Sequence, residues 1–194
     1  MDLVTISENV LRDCLGAKAG EEVLIVTDDT KVSIAQALYE GAKNLGCEAM
    51  MTVMKERKLN GEEPPKAVAE AMKAADIVIC PTAKSLTHTN ARIQAVAAGT
   101  RVATMPGITE EMFSQGAMTA DYSAVAELTA KITEMLTECQ TARIEKDGCV
   151  LTLNLEGRKG VPSPGVYREA GQSGNLPSGE AYIAPLEDGV NGEM

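Results

Sequence analysis

EEVLIVTDDTKVSIAQALYEGAKNLGCEAMMTVM, from Glu21 to Met54, is the stretch that decides the fold. Val23-Leu24-Ile25-Val26 is a short apolar run with β-branched members. Such a run reads as a strand buried on both faces, as in a parallel sheet. Val32 to Leu45 then puts Ile34, Ala35, Leu38, Ala42 and Leu45 on one helical face, and Gly46 ends it. Met50 to Met54 reads as a second strand. Strand, helix and strand in this order make a βαβ unit, whose crossover is right-handed.

Moving outward, the same alternation repeats. Towards the N-terminus, Val10, Leu11, Cys14 and Leu15 have helical spacing, with Ser7 as N-cap and Gly16 as stop. Towards the C-terminus, Glu62-Glu63-Pro64-Pro65 opens a helix that runs to about Ala75, with its prolines where a first turn tolerates them. Ile77 to Cys80 is a third buried strand that Pro81 ends. Asn90 to Ala98 is helical and stops at Gly99, and Val102 to Met105 is a fourth strand. Thr109-Glu110-Glu111 starts a helix with acids in its first turn. Asp121 to Cys139 is a longer helix whose apolar face is Val125, Leu128, Ile132, Met135 and Leu136. The pattern predicts an α/β fold with a doubly wound parallel sheet over residues 1–140.

After Gln140 the texture changes. Two strand-like segments flank Asp147-Gly148, a hairpin turn. Gly, Pro and Ser then dominate up to Ala181-Tyr182-Ile183-Ala184, a last strand-like piece. Residues 141–194 therefore read as part of a smaller, mainly antiparallel β domain. About fifty residues of this kind are too few for a good core without disulfides or a partner.

Composition narrows the function. The 194 residues carry 18 basic and 28 acidic side chains, a net charge of −10, which disfavours nucleic acid as a partner. The apolar runs are far shorter than a membrane span, and the N-terminus has no basic region leading a long apolar run. Five cysteines, widely spaced and without a CxxC pair, read as free thiols in a reducing compartment, hence a cytoplasmic protein. The single histidine, His88, rules out a zinc site built from several imidazoles within the chain.

Three segments could carry chemistry. The turn Thr27-Asp28-Asp29-Thr30 lacks the glycines of a dinucleotide or phosphate loop, and its two carboxylates would repel a pyrophosphate. Helix capping is the simpler role for Asp28 and Asp29. Pro81 to Thr89 follows the third strand, at the edge where open α/β sheets bind ligands. It is either a polar lip of Lys84, Ser85, Thr87, His88 and Thr89 facing a substrate, or a helix cap at Thr87 beside a solvated His88. Spacing does not choose between these. Gly174-Asn175-Leu176-Pro177-Ser178-Gly179-Glu180 is a Gly/Pro loop that ends on a carboxylate at a strand start.

SLTHTNAR at 85–92, GTRVATMPGITEEMF at 99–113, LNLEGRKG at 153–160 and, above all, GNLPSGEAYIAP at 174–185 resemble the thermophilic aminopeptidases, the aminopeptidase T and leucyl aminopeptidase type. The resemblance covers nearly the whole chain. It implies an N-terminal α/β domain paired with a C-terminal metal-binding domain. It also implies release of N-terminal amino acids from peptides by two divalent ions, zinc, cobalt or manganese, in a homodimer. By the same resemblance Glu180 is a metal ligand and His88 a candidate catalytic residue. The remaining ligands of the pattern lie further downstream, and the chain ends 14 residues after Glu180, so an incomplete enzyme is expected. A related branch, the 2,5-dihydroxypyridine dioxygenases, implies instead one iron and ring cleavage of a small aromatic substrate. A third expectation is a catalytically empty fragment or interaction module.

Overall fold

The computed structural model describes residues 2–193. Its contacts divide the chain into two compact units, Met1–Tyr122 with Gly165–Ser178, and Ser123–Pro164 with Gly179–Met194. The sequence-based division at residue 140 follows composition, whereas these units follow contacts, and 165–178 returns to the first.

The first unit is built on a parallel sheet. Its strands are β1 (Glu22–Asp28), β2 (Glu48–Met54), β3 (Ile77–Thr82), β4 (Arg101–Pro106) and β8 (Ser173–Asn175), in the spatial order β2-β1-β3-β4-β8. Helices cover both faces. On one side α1 (Leu3–Asn9), its π-helical continuation Val10–Cys14, α2 (Val32–Asn44) and α5 (Glu110–Ser114) bury Ile6, Leu11, Ile34, Leu38 and Phe113 against Ile25, Ile79 and Met105. On the other, α3 (Lys66–Ala74) and α4 (Asn90–Ala97) bury Val68, Met72, Ala91 and Ala95 against Val26, Val78 and Val102. The fold is the doubly wound α/β architecture expected. Arg101 ties the start of β4 to the first helical segment. It donates to the carbonyls of Leu15 and Gly16 at 2.8 and 3.1 Å and pairs with Glu21 at 2.7 Å, while only 6% exposed.

Several local expectations are corrected. The first helix is capped by Asp2, which accepts from Thr5 N at 2.9 Å, not by Ser7. Ser7 is buried mid-helix and donates to Leu3 O at 2.8 Å, packed so close to Gly41 that a Cβ there would lie 2.9 Å from it. Pro81 does not end the third strand, since β3 pairs with β4 through Thr82. It does coincide with the opening of the other side. β1 and β3 pair only from Val23–Ile77 to Ile25–Ile79, and Pro81 has no N–H to offer. β8 was read as loop because Ser-Gly-Asn has little strand propensity.

The second unit holds most of α6 (Tyr122–Glu138) and two antiparallel sheets. β5 (Thr141–Lys146) and β6 (Cys149–Asn154) form the expected hairpin, with Asp147 and Gly148 in its turn at φ 52° and 86°, and β10 (Val190–Gly192) adds outside β6. β7 (Val161–Ser163) pairs with β9 (Glu180–Tyr182). The apolar face assigned to α6 is also corrected. Leu128, Ile132 and Met135 are exposed, whereas Thr129 is buried. The helix is rotated so that the covered stripe is Val125, Ala126, Thr129, Thr133 and Leu136. Gly160 sits on that stripe, its N–H donating to Thr137 Oγ1 at 3.0 Å.

All five cysteines are free, with Cys14, Cys47 and Cys80 buried and Cys139 and Cys149 exposed. No helix among the described residues is long and apolar enough to cross a membrane.

Candidate functional site

In a sheet of this order, ligand crevices open at the carboxyl ends of the strands, where strand order reverses. The reversal lies between β1 and β3. There the chain has filled its own crevice. Asp28 is 1% exposed. Its Oδ2 accepts from Ala83 N at 2.6 Å, and its Oδ1 accepts from Thr30 N and Thr30 Oγ1 at 3.0 and 2.6 Å. Thr27 Oγ1 donates to Pro81 O at 2.8 Å. The capping role assigned to Asp28 is thus corrected, because α2 has Lys31 as N-cap and no side-chain cap. A buried carboxylate at this crevice would repel a pyrophosphate, which disfavours a nucleotide there.

The open polar edge lies one strand further on, where β3, β4 and β8 end together. The loop after β3 carries Ser85, Thr87 and His88. Thr87 Oγ1 lies 2.8 Å from Thr104 Oγ1 of β4 and 3.0 Å from Asn175 Oδ1 of β8. Thr104 Oγ1 donates to the same Asn175 oxygen at 2.7 Å, and Ser85 Oγ donates to Thr87 Oγ1 at 2.9 Å. Two hydroxyls therefore converge on one carboxamide, and a third, that of Ser85, backs Thr87. Arg92, in the first turn of α4, donates from Nε to Thr87 O at 2.8 Å and from Nη1 to Ser173 Oγ at 2.9 Å. Gly174 allows Tyr167 to lie against β8, where its hydroxyl donates to Asn175 O at 3.0 Å.

The structure resolves the open choice at Thr87. Thr89, not Thr87, caps α4, accepting from Arg92 N at 3.3 Å, and Thr87 belongs to the polar edge. His88 lies exposed in the same turn. Elsewhere in the first unit a cleft of about 560 Å³ is lined by Glu111, Met112, Gln115, Gly116, Ala117 and Pro177, none of which belongs to the polar edge. Glu180 belongs to the second unit, exposed at the first position of β9 opposite Ser163. Sequence reading found Ser85, Thr87, His88 and Glu180 but missed Thr104, Asn175, Arg92 and Ser173. Thr104, a polar residue in an otherwise apolar strand, was the available signal.

Residues 2–194 fit one family model, that of the 2,5-dihydroxypyridine 5,6-dioxygenases, NicX. The chain belongs to this family. Comparison with curated proteins finds no match. Among solved structures, the chain is similar to a 2,5-dihydroxypyridine dioxygenase from Pseudomonas putida, at 19% identity and a TM-score of 0.73, covering 97% of this chain and 57% of that one. It is also similar to AmpT from Thermus thermophilus, at 19% identity and a TM-score of 0.64, covering 98% and 63%. The chain thus spans 57% and 63% of the lengths of these two proteins.

Family membership corrects the first expectation. The aminopeptidase reading, with its hydrolase, metalloprotease and peptide-substrate consequences, gives way to the dioxygenase branch. The strings that suggested a peptidase mix scaffold with the polar edge: THTNAR runs from Thr87 through the cap and first turn of α4, and Gly174-Asn175 is β8, with Gly174 packed on Tyr167 and Asn175 in the polar set. Both solved structures share that scaffold, and a shared scaffold does not report the chemistry.

Proposed function

We propose that the protein carrying this chain opens the ring of a small hydroxylated N-heteroaromatic compound with dioxygen, and that its metal is iron. The family match over residues 2–194 carries this reading. The NicX reaction is named as a 5,6-dioxygenation of 2,5-dihydroxypyridine. In such a reaction both atoms of one dioxygen enter the product and the bond between the two named ring carbons breaks. The polar edge supports it. A planar, oxygen-bearing ring needs hydrogen-bonding groups that fix its orientation, and Ser85, Thr87, Thr104 and Asn175 form a cross-linked set of this kind. His88, on the same turn, is the proposed proton carrier for a substrate hydroxyl. Glu180 is the proposed metal ligand.

The residues in hand do not make a metal centre by themselves. No three His, Cys, Asp or Glu side chains converge among the described residues, and a single carboxylate such as Glu180 does not hold an iron ion against water. The chemistry the iron supplies is activation of dioxygen at open coordination positions. What this chain contributes is orientation of the ring and a place for its proton. Free thiols throughout fit a reducing compartment, which supports a cytoplasmic location, and a homodimer is the assembly proposed.

Oxygen uptake by the purified protein with Fe²⁺ and 2,5-dihydroxypyridine tests the reading. Consumption of one dioxygen per substrate is expected. Glu180→Gln is expected to lower iron content, and His88→Ala to lower turnover at unchanged iron content. An iron-loaded protein that leaves the substrate intact would remove the reading.

A further inference from the structure

We infer that Arg92 and Asn175 together select an ionised oxygen on the substrate ring, so that the site takes an aromatic anion rather than a neutral ring. This rests on the ring-opening reading above and names the substrate feature it recognises.

Arg92 is a half-buried cation in a chain with ten more acids than bases. Even so, no carboxylate pairs with it among the described residues, whereas Arg12, Arg57 and Arg101 in the same unit each have one. Both of its acceptors, Thr87 O and Ser173 Oγ, are neutral. A guanidinium has five N–H groups, so three remain unused. Glu63 accepts from the N–H groups of Asn90 and Ala91 at 2.6 and 3.1 Å, so it neutralises the start of α4 and not the guanidinium.

Asn175 completes the arrangement. Its Oδ1 is held by Thr87 and Thr104, which turns its Nδ2 away from them, and that nitrogen has no partner among the described residues. Ser173 and Asn175 are two apart on β8. Their side chains therefore leave the sheet on one face, about 7 Å apart along the strand. A guanidinium fork held at Ser173 and a carboxamide N–H₂ at Asn175 stand as neighbours, both linked through Thr87. These are donors without acceptors. They are open to solvent, so a ligand that replaces their water must bring acceptor oxygen, and an unneutralised guanidinium favours a charged one. The ring itself is required by the ring-opening reading, on which this inference rests. The ligand class is a ring carrying an oxyanion or a carboxylate.

Anaerobic calorimetry on the whole protein tests this with 2,5-dihydroxypyridine, pyridine-3-carboxylate and 2,5-dimethoxypyridine. The wild-type protein is expected to bind one of the two ionisable rings at least about tenfold tighter than the dimethoxy ring, a modest return for a charge-assisted hydrogen bond. Which of the two wins decides between oxyanion and carboxylate. Arg92→Gln should erase the preference, and Arg92→Lys should restore part of it by keeping charge without the fork. A folded Arg92→Gln protein that still prefers the ionisable ring overturns the inference. If that variant does not fold, wild-type affinity must still fall as pH is lowered through the ligand's own pKa, and a flat profile overturns it equally. Oxygen uptake separates the two readings. Turnover with an unchanged KM in Arg92→Gln sinks this inference alone. Arg92-dependent anion binding without any oxygen uptake sinks the ring-opening reading alone.

Discussion

Gly174→Ala is the substitution whose effect the structure fixes most closely. A Cβ on Gly174 would lie 2.2 Å from Tyr167 Oη, 2.4 Å from Cζ and 2.6 Å from Cε1. Ordinary carbon contacts are about 3.5–4.0 Å, so the ring must withdraw by roughly an ångström or more. It has nowhere to go, because Tyr167 is 5% exposed and packed in the core that α1, α2 and α5 share with the sheet. Overpacking of this kind costs about 1–3 kcal/mol. Losing the hydroxyl's bond to Asn175 O at 3.0 Å adds about 1 kcal/mol. The stiffer unfolded chain returns about 0.4–1 kcal/mol. The net expectation is a loss of about 1–3.5 kcal/mol, or roughly 2–14 °C in Tm for a chain of this size. Urea titration with circular dichroism reads it directly. The cause is isolated by repeating the change in a Tyr167→Leu background, where the clash is gone and the cost should drop below about 1 kcal/mol. Equal costs in the two backgrounds, or a loss under about 0.5 kcal/mol in the first, would refute the steric reasoning. The same change should also weaken ring binding, because Asn175 follows Gly174 on β8.

Other outcomes follow from the same contacts. Asp28→Ala strips Ala83 N of its partner and should cost about 1–3 kcal/mol in urea titration, while a change near zero would show that the crevice is not held shut by this carboxylate. Burial pushes the Cys14 and Cys80 thiols up to about 12 from 9.0, and the Tyr122 hydroxyl up to about 12 from 10.0. Each folded value lies above its unfolded one, so their contribution is complete below about pH 9 and is lost as pH rises towards 12. Stability should therefore fall between about pH 9 and 12, and a level profile over that window would contradict the burial. Iodoacetamide with peptide mapping should label Cys139 and Cys149 quickly and Cys14 and Cys80 only on unfolding. Fast labelling of Cys80 in the folded protein would count against the central position of β3.

The parallel sheet was legible because its strands announce themselves. Val23 to Val26 and Ile77 to Cys80 are apolar on both faces, and no other element of a small α/β chain needs that. Helix α2 was legible for the matching reason, one apolar stripe closed by a glycine. What could not be read depends on neighbours far along the chain. Ser173-Gly174-Asn175 becomes a strand only because β4 offers it an edge and Tyr167 fills the space above Gly174. The stripe on α6 was misplaced by ranking residues on hydrophobicity, whereas Thr129 and Thr133 turned inward. Thr87 and Asn175 are 88 residues apart, and no local pattern joins them. The choice between peptidase and dioxygenase was illegible for a different reason, since the fold is shared at 19% identity with solved structures of both kinds and a fold does not report its chemistry.

A ring-opening dioxygenase puts both atoms of one dioxygen into its product, and a peptidase puts in neither. Mass spectrometry after reaction of the iron-supplied protein with 2,5-dihydroxypyridine under heavy-isotope dioxygen tests this difference most directly. The account predicts a ring-opened product carrying both heavy oxygen atoms, and no release of amino acid from an aminoacyl arylamide in parallel. An intact ring alongside arylamide hydrolysis would contradict it.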